Sequence, residues 1–309
     1  MVTRVTTPGN YSAVLANLLT AQKNQMEAGD KVATQKNGQN LKDYAKSSEL
    51  LTAMRSVQTR LSVYEDQNKL LTDKLDTQNT AITRVADAAQ VVRQLFAEAL
   101  ASGRADTLVE DVQGQLRNAV EGMNARYGGK YVFAGGQVDT RPVTATSLAD
   151  LTAGPPIASF FQNDQFKVTA KLDEATTVTT GLLAGDMGTD LLTAFQTFQA
   201  FNEGASGPFG GQLTAAQQTF LENQLSTWDG VRADVTQMAA YNGVNQKRLE
   251  TIADDLKTRQ NSLAGMLGDI TDADMAEAAA QLQQAQLSVQ SAAYVFQSLQ
   301  ESSLINLLR

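Results

Sequence analysis

The sequence predicts a mainly α protein. N- and C-terminal arms form a long antiparallel, coiled-coil-like rod, and a small β-rich or mixed domain is inserted in mid-chain. Three observations carry this reading. Each half of the chain contains a long tract in which apolar residues recur every 3.5 positions. Four of the five prolines (Pro142, Pro155, Pro156 and Pro208) crowd into the stretch between those tracts, amid frequent glycine. Both chain ends are amphipathic and poor in charge. The expected divisions are an assembly segment at 1–40, rod helices at 41–127, the inserted domain at 128–211, a rod helix at 212–267 and a terminal assembly helix at 268–309.

Tyr11–Met26 forms the first stripe, with Val14, Leu15, Leu18 and Leu19 on one face. The first rod helix is expected from Asp43 to Ala101. Its seam runs through Leu61, Leu71, Leu75, Ile82 and Val85 and on to Phe96, and only Asn68 and Gln78 break it with polar side chains. At 1.5 Å per residue such a helix spans roughly 90 Å. Ser102-Gly103-Arg104 interrupts it. Asp106 or Thr107 can cap a second helix reaching about Tyr127.

Beyond it the texture changes. Tyr127–Val143 reads YGGKYVFAGGQVDTRPV. Tyr131 to Phe133 suits a short strand, Gly128, Gly129, Gly135 and Gly136 can supply positive φ at its ends, and Pro142 closes the stretch. Phe166–Leu172 and Thr176–Thr180 look like strands, and Leu191–Phe201 looks helical. The inserted domain is expected to project from one end of the rod.

The second long tract has Trp228, Val235, Leu249, Ile252 and Leu256 on its seam, with Asn242, Asn245 and Arg259 as polar exceptions. Gly268 is expected to stop it, and Thr271 with Asp274 resembles a capping box. The last helix places Met275, Leu282, Val289, Phe296 and Leu299 on one stripe and ends in Leu304, Leu307 and Leu308. Such apolar ends pair either with each other within one fold or with copies of themselves in an assembly.

Composition narrows the function. The 309 residues include no cysteine and no histidine. That excludes disulfides, thiolate metal sites and histidine acid–base chemistry. A net charge of −8 argues against nucleic acid or an anionic membrane as main partner. No run is long and apolar enough for a membrane span, and the first residues do not read as a cleaved signal peptide. GGKYVFAGG lacks the Ser or Thr that follows Lys in a phosphate loop. Asp269, Asp272 and Asp274 lack the ligand order of a calcium loop and read as helix caps. No catalytic, cofactor or metal constellation emerges, so the expectation is a non-enzymatic protein.

The plan of apolar helix, long coil, inserted domain, long coil and apolar helix resembles the flagellin superfamily. YVFAGG with its following Thr140 and Pro142 resembles a signature of the hook-associated protein 3 group (FlgL). The C-terminal run from Asp269, DITDADMAEAAAQLQQAQLSVQSAAYVFQSLQESSLINLLR, resembles the terminal helix shared with flagellins. The resemblance implies a structural subunit of the bacterial flagellum, in a ring of about eleven copies between a hook-side junction protein and flagellin. It also implies type III export to the cell exterior without a cleaved signal, and an export chaperone on the C-terminal helix. A filament-forming flagellin and a cytosolic coiled-coil scaffold are the alternatives.

Overall fold

The computed structural model describes residues 7–307, and the side chains of residues 12–301. Its helices are α1 (Thr7–Thr34), α2 (Ser48–Ser102), α3 (Leu108–Met123), α4 (Leu148–Thr152), α5 (Ala184–Glu203), α6 (Ala215–Thr271) and α7 (Met275–Leu307). Two short hairpins, β1 (Arg126–Tyr127) with β2 (Lys130–Tyr131) and β3 (Thr169–Lys171) with β4 (Thr177–Thr179), are antiparallel. The fold is mainly α with a small mixed region in mid-chain. The chain divides into one unit of residues 1–60 with 258–309 and another of residues 61–257.

In the unit of 61–257, α2 and α6 are antiparallel neighbours. Asn242 on α6 donates to the Leu75 carbonyl on α2 at 2.9 Å, and Arg93 pairs with Asp229 at 2.6 Å. The apolar seam of α2 exists because a 3.5-residue repeat keeps one stripe facing its partner. Leu75, Ile82, Val85, Val92 and Phe96 on that stripe are fully buried. Toward the later part of α2 the seam broadens into an aromatic centre. Phe96 stacks on Phe198 at 5.4 Å, and Phe195 meets Trp228 edge-on at 4.8 Å. Helix α3 adds Leu108, Val112, Leu116 and Met123 to the same core, as do Phe133 and Val143 from the mid-chain stretch.

Several boundaries differ from the expectation. The first long helix starts at Ser48, because the Asp43 carboxylate accepts the backbone N–H groups of Gln39 and Asn40 and holds residues 41–44 in a separate 3-10 turn. Helix α3 ends at Met123, four residues early. The Asn124 side chain there both accepts from Val143 N–H and donates to its carbonyl, which turns the chain away. Gly268 does not stop α6, which continues through Thr271. One helical glycine costs only about 1 kcal/mol relative to alanine, within reach of tertiary packing. Thr271 is the last residue of α6, donating to the Leu267 carbonyl, and Asp274 alone caps α7 by accepting from Ala276 and Glu277 N–H.

The glycine-aromatic stretch forms a two-residue hairpin turn. Gly128 and Gly129 have φ of 56° and 82°, the left-handed pair that matches strand twist. The strand is Lys130–Tyr131 rather than Tyr131 to Phe133, because the chain dives inward after Tyr131 and Phe133 is wholly buried. Gly135 has φ of 70°, but Gly136 does not need positive φ. Its demand is space: a Cβ there would lie 2.8 Å from an oxygen of Asp164, which accepts the Gly136 N–H.

The mid-chain segment does not project from the end of the helices as expected. Leu172 and Val178 of the β3–β4 hairpin pack onto Leu75 of α2 and Leu249 of α6. A two-stranded hairpin cannot bury an apolar face by itself, so this one borrows the helical surface.

Candidate assembly surface

In the unit of 1–60 with 258–309, α1 packs along α7 in the opposite direction. Lys31 near the end of α1 donates to Gln281 near the start of α7 at 3.3 Å. The facing stripe of α1 is Val14, Leu18, Ala21, Gln25, Ala28 and Val32, and that of α7 is Ala278, Leu282, Ala285, Val289, Ala292, Phe296 and Leu299. Both alternate steps of three and four, so each keeps one line of contact along its length. Only the alanines Ala21, Ala28, Ala278 and Ala285 of these stripes are buried; the larger side chains are half-buried. Small residues let two helices approach closely but remove little apolar area from water.

A polar clasp closes this pair where both chains leave their helices. Asn37 N–H donates to the Thr271 carbonyl at 2.8 Å, Ala273 N–H to the Gln35 carbonyl at 3.0 Å, and the Asn37 side chain to the Asp272 carbonyl at 2.7 Å. Lys36 forms an ion pair with Asp272. The Lys36 ammonium, with the Thr271 hydroxyl, holds the Asp272 carboxyl below its ordinary range. Gln35 adopts φ of 59° to make the turn. Asp272 is thus a clasp residue rather than a helix cap.

The outward side of the pair sets several large apolar residues among polar ones. Leu19 is 57% exposed, Met26 72%, Leu287 63% and Tyr294 76%, and Leu15, Met275 and Val295 are exposed as well. Of the residues expected at an assembly interface, Leu15, Leu19 and Met275 point outward, whereas Val14, Leu18, Leu282, Val289, Phe296 and Leu299 lie in the α1–α7 contact. Leu304, Leu307 and Leu308 lie outside the described side chains. Leu287, Tyr294 and Val295 were not among the expected residues. Leu287 and Tyr294 are seven apart, a second stripe beside the first, which a search for one stripe passes over.

The long-helix seam contains Leu61, Leu75, Ile82, Val85, Trp228, Val235, Leu249 and Leu256 as buried residues, with Leu71 and Ile252 half-buried. Three of its polar exceptions are sockets, while Asn242 bonds to α2 and Arg259 is exposed. Asn68 donates to the Leu172 carbonyl at 3.0 Å, Asn245 to the Thr179 carbonyl at 3.0 Å, and Gln78 faces the Val132 and Thr180 carbonyls at 3.4 Å. These amides satisfy backbone carbonyls of the mid-chain segment that pack against the helices, and the Tyr241 hydroxyl also donates to the Thr179 carbonyl at 3.0 Å. At the other hairpin Tyr131 is half-buried, and the Arg126 guanidinium lies 4.2 Å from its ring centre and donates to its hydroxyl. Tyr131 therefore packs on its own hairpin through Arg126. Pro142 is buried, and its carbonyl accepts Gln162 N–H at 2.8 Å.

Among the described residues no group of three acidic side chains is placed to hold a metal, and no helix is long and apolar enough to cross a membrane. The comparisons with known proteins agree with the architecture. The family model of the bacterial flagellin N-terminal helical region matches residues 5–137, and that of the C-terminal helical region matches residues 225–308. Together they span more than two thirds of the chain. No curated protein sequence matches. A solved chain from Vibrio parahaemolyticus, described as a flagellar hook-associated protein, is 14% identical with a TM-score of 0.60; 74% of this chain and 100% of that one are covered. Bacillus cereus FlgL is also 14% identical, with a TM-score of 0.54, covering 71% of this chain and 99% of that one. At this identity the two structures speak for the fold, and the two family models fix the family. The chain belongs to the flagellin superfamily: it is a non-enzymatic structural protein of the bacterial flagellum.

Proposed function

We propose that this chain forms the junction ring between the flagellar hook and the flagellin filament. The observation that carries assembly is the α1–α7 pair, whose contact buries mainly alanines while Leu19, Met26, Leu287 and Tyr294 remain in water. Large exposed apolar side chains recurring on both helices support a surface that a partner covers. The partners in this reading are further copies of the chain, the hook-side junction protein and flagellin. The chain reaches the exterior by type III export, with a chaperone holding the C-terminal helix on the way. The YVFAGG stretch and the two hook-associated structural neighbours support a junction role over a filament role. A filament-forming flagellin is the second reading, favoured by the flagellin identity of both family models.

A deletion strain tests the junction role. The expected result is hooks without filaments, with flagellin released to the medium. Normal filaments in that strain would refute it. Counting copies in sheared flagella separates the two readings, since filament-like abundance is incompatible with a single ring. Removing residues 295–309 is expected to abolish incorporation while the unit of 61–257 stays folded.

A further inference from the structure

The sequence contains two Asn-Gly pairs, Asn37-Gly38 and Asn242-Gly243. A glycine after asparagine has no Cβ to shield its peptide nitrogen, and its backbone is free to bring that nitrogen to the asparagine side-chain carbon. The two pairs sit in opposite settings. Asn242 is buried in the middle of α6, donates to the Leu75 carbonyl and is held in helical backbone. Asn37 is exposed in the irregular stretch after α1, at the polar clasp.

The clasp geometry explains why a labile pair stands there. Gly38 is required for space, since a Cβ on it would lie 2.4 Å from the Cβ of Asp43. Asn37 is required for its donors: its N–H reaches the Thr271 carbonyl at 2.8 Å and its side-chain nitrogen the Asp272 carbonyl at 2.7 Å. The same region restrains the reactive atoms. The Gly38 N–H donates to the Tyr44 hydroxyl at 2.9 Å, and that hydroxyl donates back to the Gly38 carbonyl at 2.8 Å. Attack requires the Gly38 nitrogen to turn toward Cγ of Asn37 and the side-chain nitrogen to depart, so both contacts must first open.

We propose that Asn37 is a deamidation site, protected while the clasp is closed and releasing the clasp once converted. The Gly38 nitrogen bonds to Cγ of Asn37, the Cγ–Nδ2 bond breaks, and ammonia leaves with the Gly38 proton. Water then opens the succinimide. Cleavage of the new bond gives aspartate, and cleavage of the original main-chain bond gives isoaspartate. Either product lacks the side-chain N–H that the Asp272 carbonyl accepts, and sets a negative charge against that oxygen. The clasp is thus a latch that reaction of one side chain releases and that the chain cannot restore by itself. The latch acts whether the assembly is a junction ring or a filament, so the deletion-strain result does not decide it.

The full-length chain is incubated at mildly alkaline pH, folded and in denaturant, and both asparagines are followed by peptide mass spectrometry. In denaturant Asn37 and Asn242 are expected to convert at similar rates. In the folded chain Asn242 is expected to stay intact, and Asn37 to convert about tenfold more slowly than in denaturant, because only the locally open clasp reacts. Conversion of folded Asn37 as slow as that of Asn242, or as fast as in denaturant, overturns the proposal. Tyr44→Phe, which frees the Gly38 N–H, is expected to speed conversion at Asn37 alone; an unchanged rate would overturn the protection by that contact. Asn37→Asp reads the consequence. Amide exchange at Ala273 is expected to rise while the seam of α2 and α6 within residues 61–257 keeps its protection, and circular dichroism checks that each variant is folded. Unchanged exchange at Ala273 would overturn the latch.

Discussion

The two units solve the same problem in opposite ways. The unit of 61–257 fills its interior with Phe96, Phe195, Phe198 and Trp228, all fully buried. The α1–α7 pair buries alanines and leaves two leucines, a methionine and a tyrosine more than half exposed. Large aromatic side chains contribute most of a core's stabilisation, while buried alanines contribute little. In the proposed assembly the unit of 61–257 needs no partner, whereas the α1–α7 pair is a half-interface that a partner covers.

Substitutions can break this contrast, beginning with the strongest. Trp228→Ala is expected to cost about 3–5 kcal/mol through lost burial and the cavity left between Phe96 and Phe195. A shift of the urea midpoint at unchanged slope measures it. Leu75→Asp is expected to cost of order ~3 kcal/mol, since a buried unpaired charge enters the contact with Leu172 and Leu249. An unchanged melt would refute the seam. Asn245→Ala is expected to cost about 1 kcal/mol, the net worth of one hydrogen bond, with faster amide exchange confined to the hairpin at Thr177–Thr179. Leu287→Ser should leave monomer stability within about 0.5 kcal/mol, as exposed sites do, yet reduce polymer formation. A stability loss like that of Leu75→Asp would erase the contrast between the units.

Much of this was legible in the sequence, for a local reason. A 3.5-residue repeat needs only neighbours along the chain, so Leu75, Ile82, Trp228 and Val235 can be placed on a seam without knowing what they meet. Gly128-Gly129 announces a tight turn in the same way. The sockets were legible only as exceptions. Asn68 and Gln78 stand out as polar residues in an apolar stripe, but their acceptors at Leu172 and Val132 lie 104 and 54 residues away. The same distance hides the hairpin's seat on the helices. It also hides the clasp, where Lys36 meets Asp272 across 236 positions, so that an acidic residue near a helix start reads as a cap. At the chain ends the heptad shows which residues can face a partner helix. It does not show that Leu282 and Phe296 are used within the chain while Leu287 and Tyr294 are not.

The smallest expected effect concerns acid. Asp150, the third residue of α4, closes a capping box with Ser147, accepting from the Thr146 hydroxyl and N–H and from Ser147 N–H, which lowers its pKa to about 2. A depressed carboxyl stabilises the fold above its unfolded pKa, and that contribution is lost as pH falls through the folded value. Asp150→Asn is therefore expected to flatten the acid limb of the stability curve between the ordinary carboxylate range and pH 2. The Asp272 clasp has the same sign, and high salt is expected to weaken it because its ion pair with Lys36 is exposed.

The central claim is that one unit is complete and the other awaits a partner. Amide hydrogen exchange of the full chain, before and after polymerisation, tests it most directly. The prediction is slow exchange in both states at the buried seam of α2 and α6 within residues 61–257, and exchange in α1 and α7 that is fast in the monomer and slow in the polymer. Equal protection of α1 and α7 in both states would contradict the account.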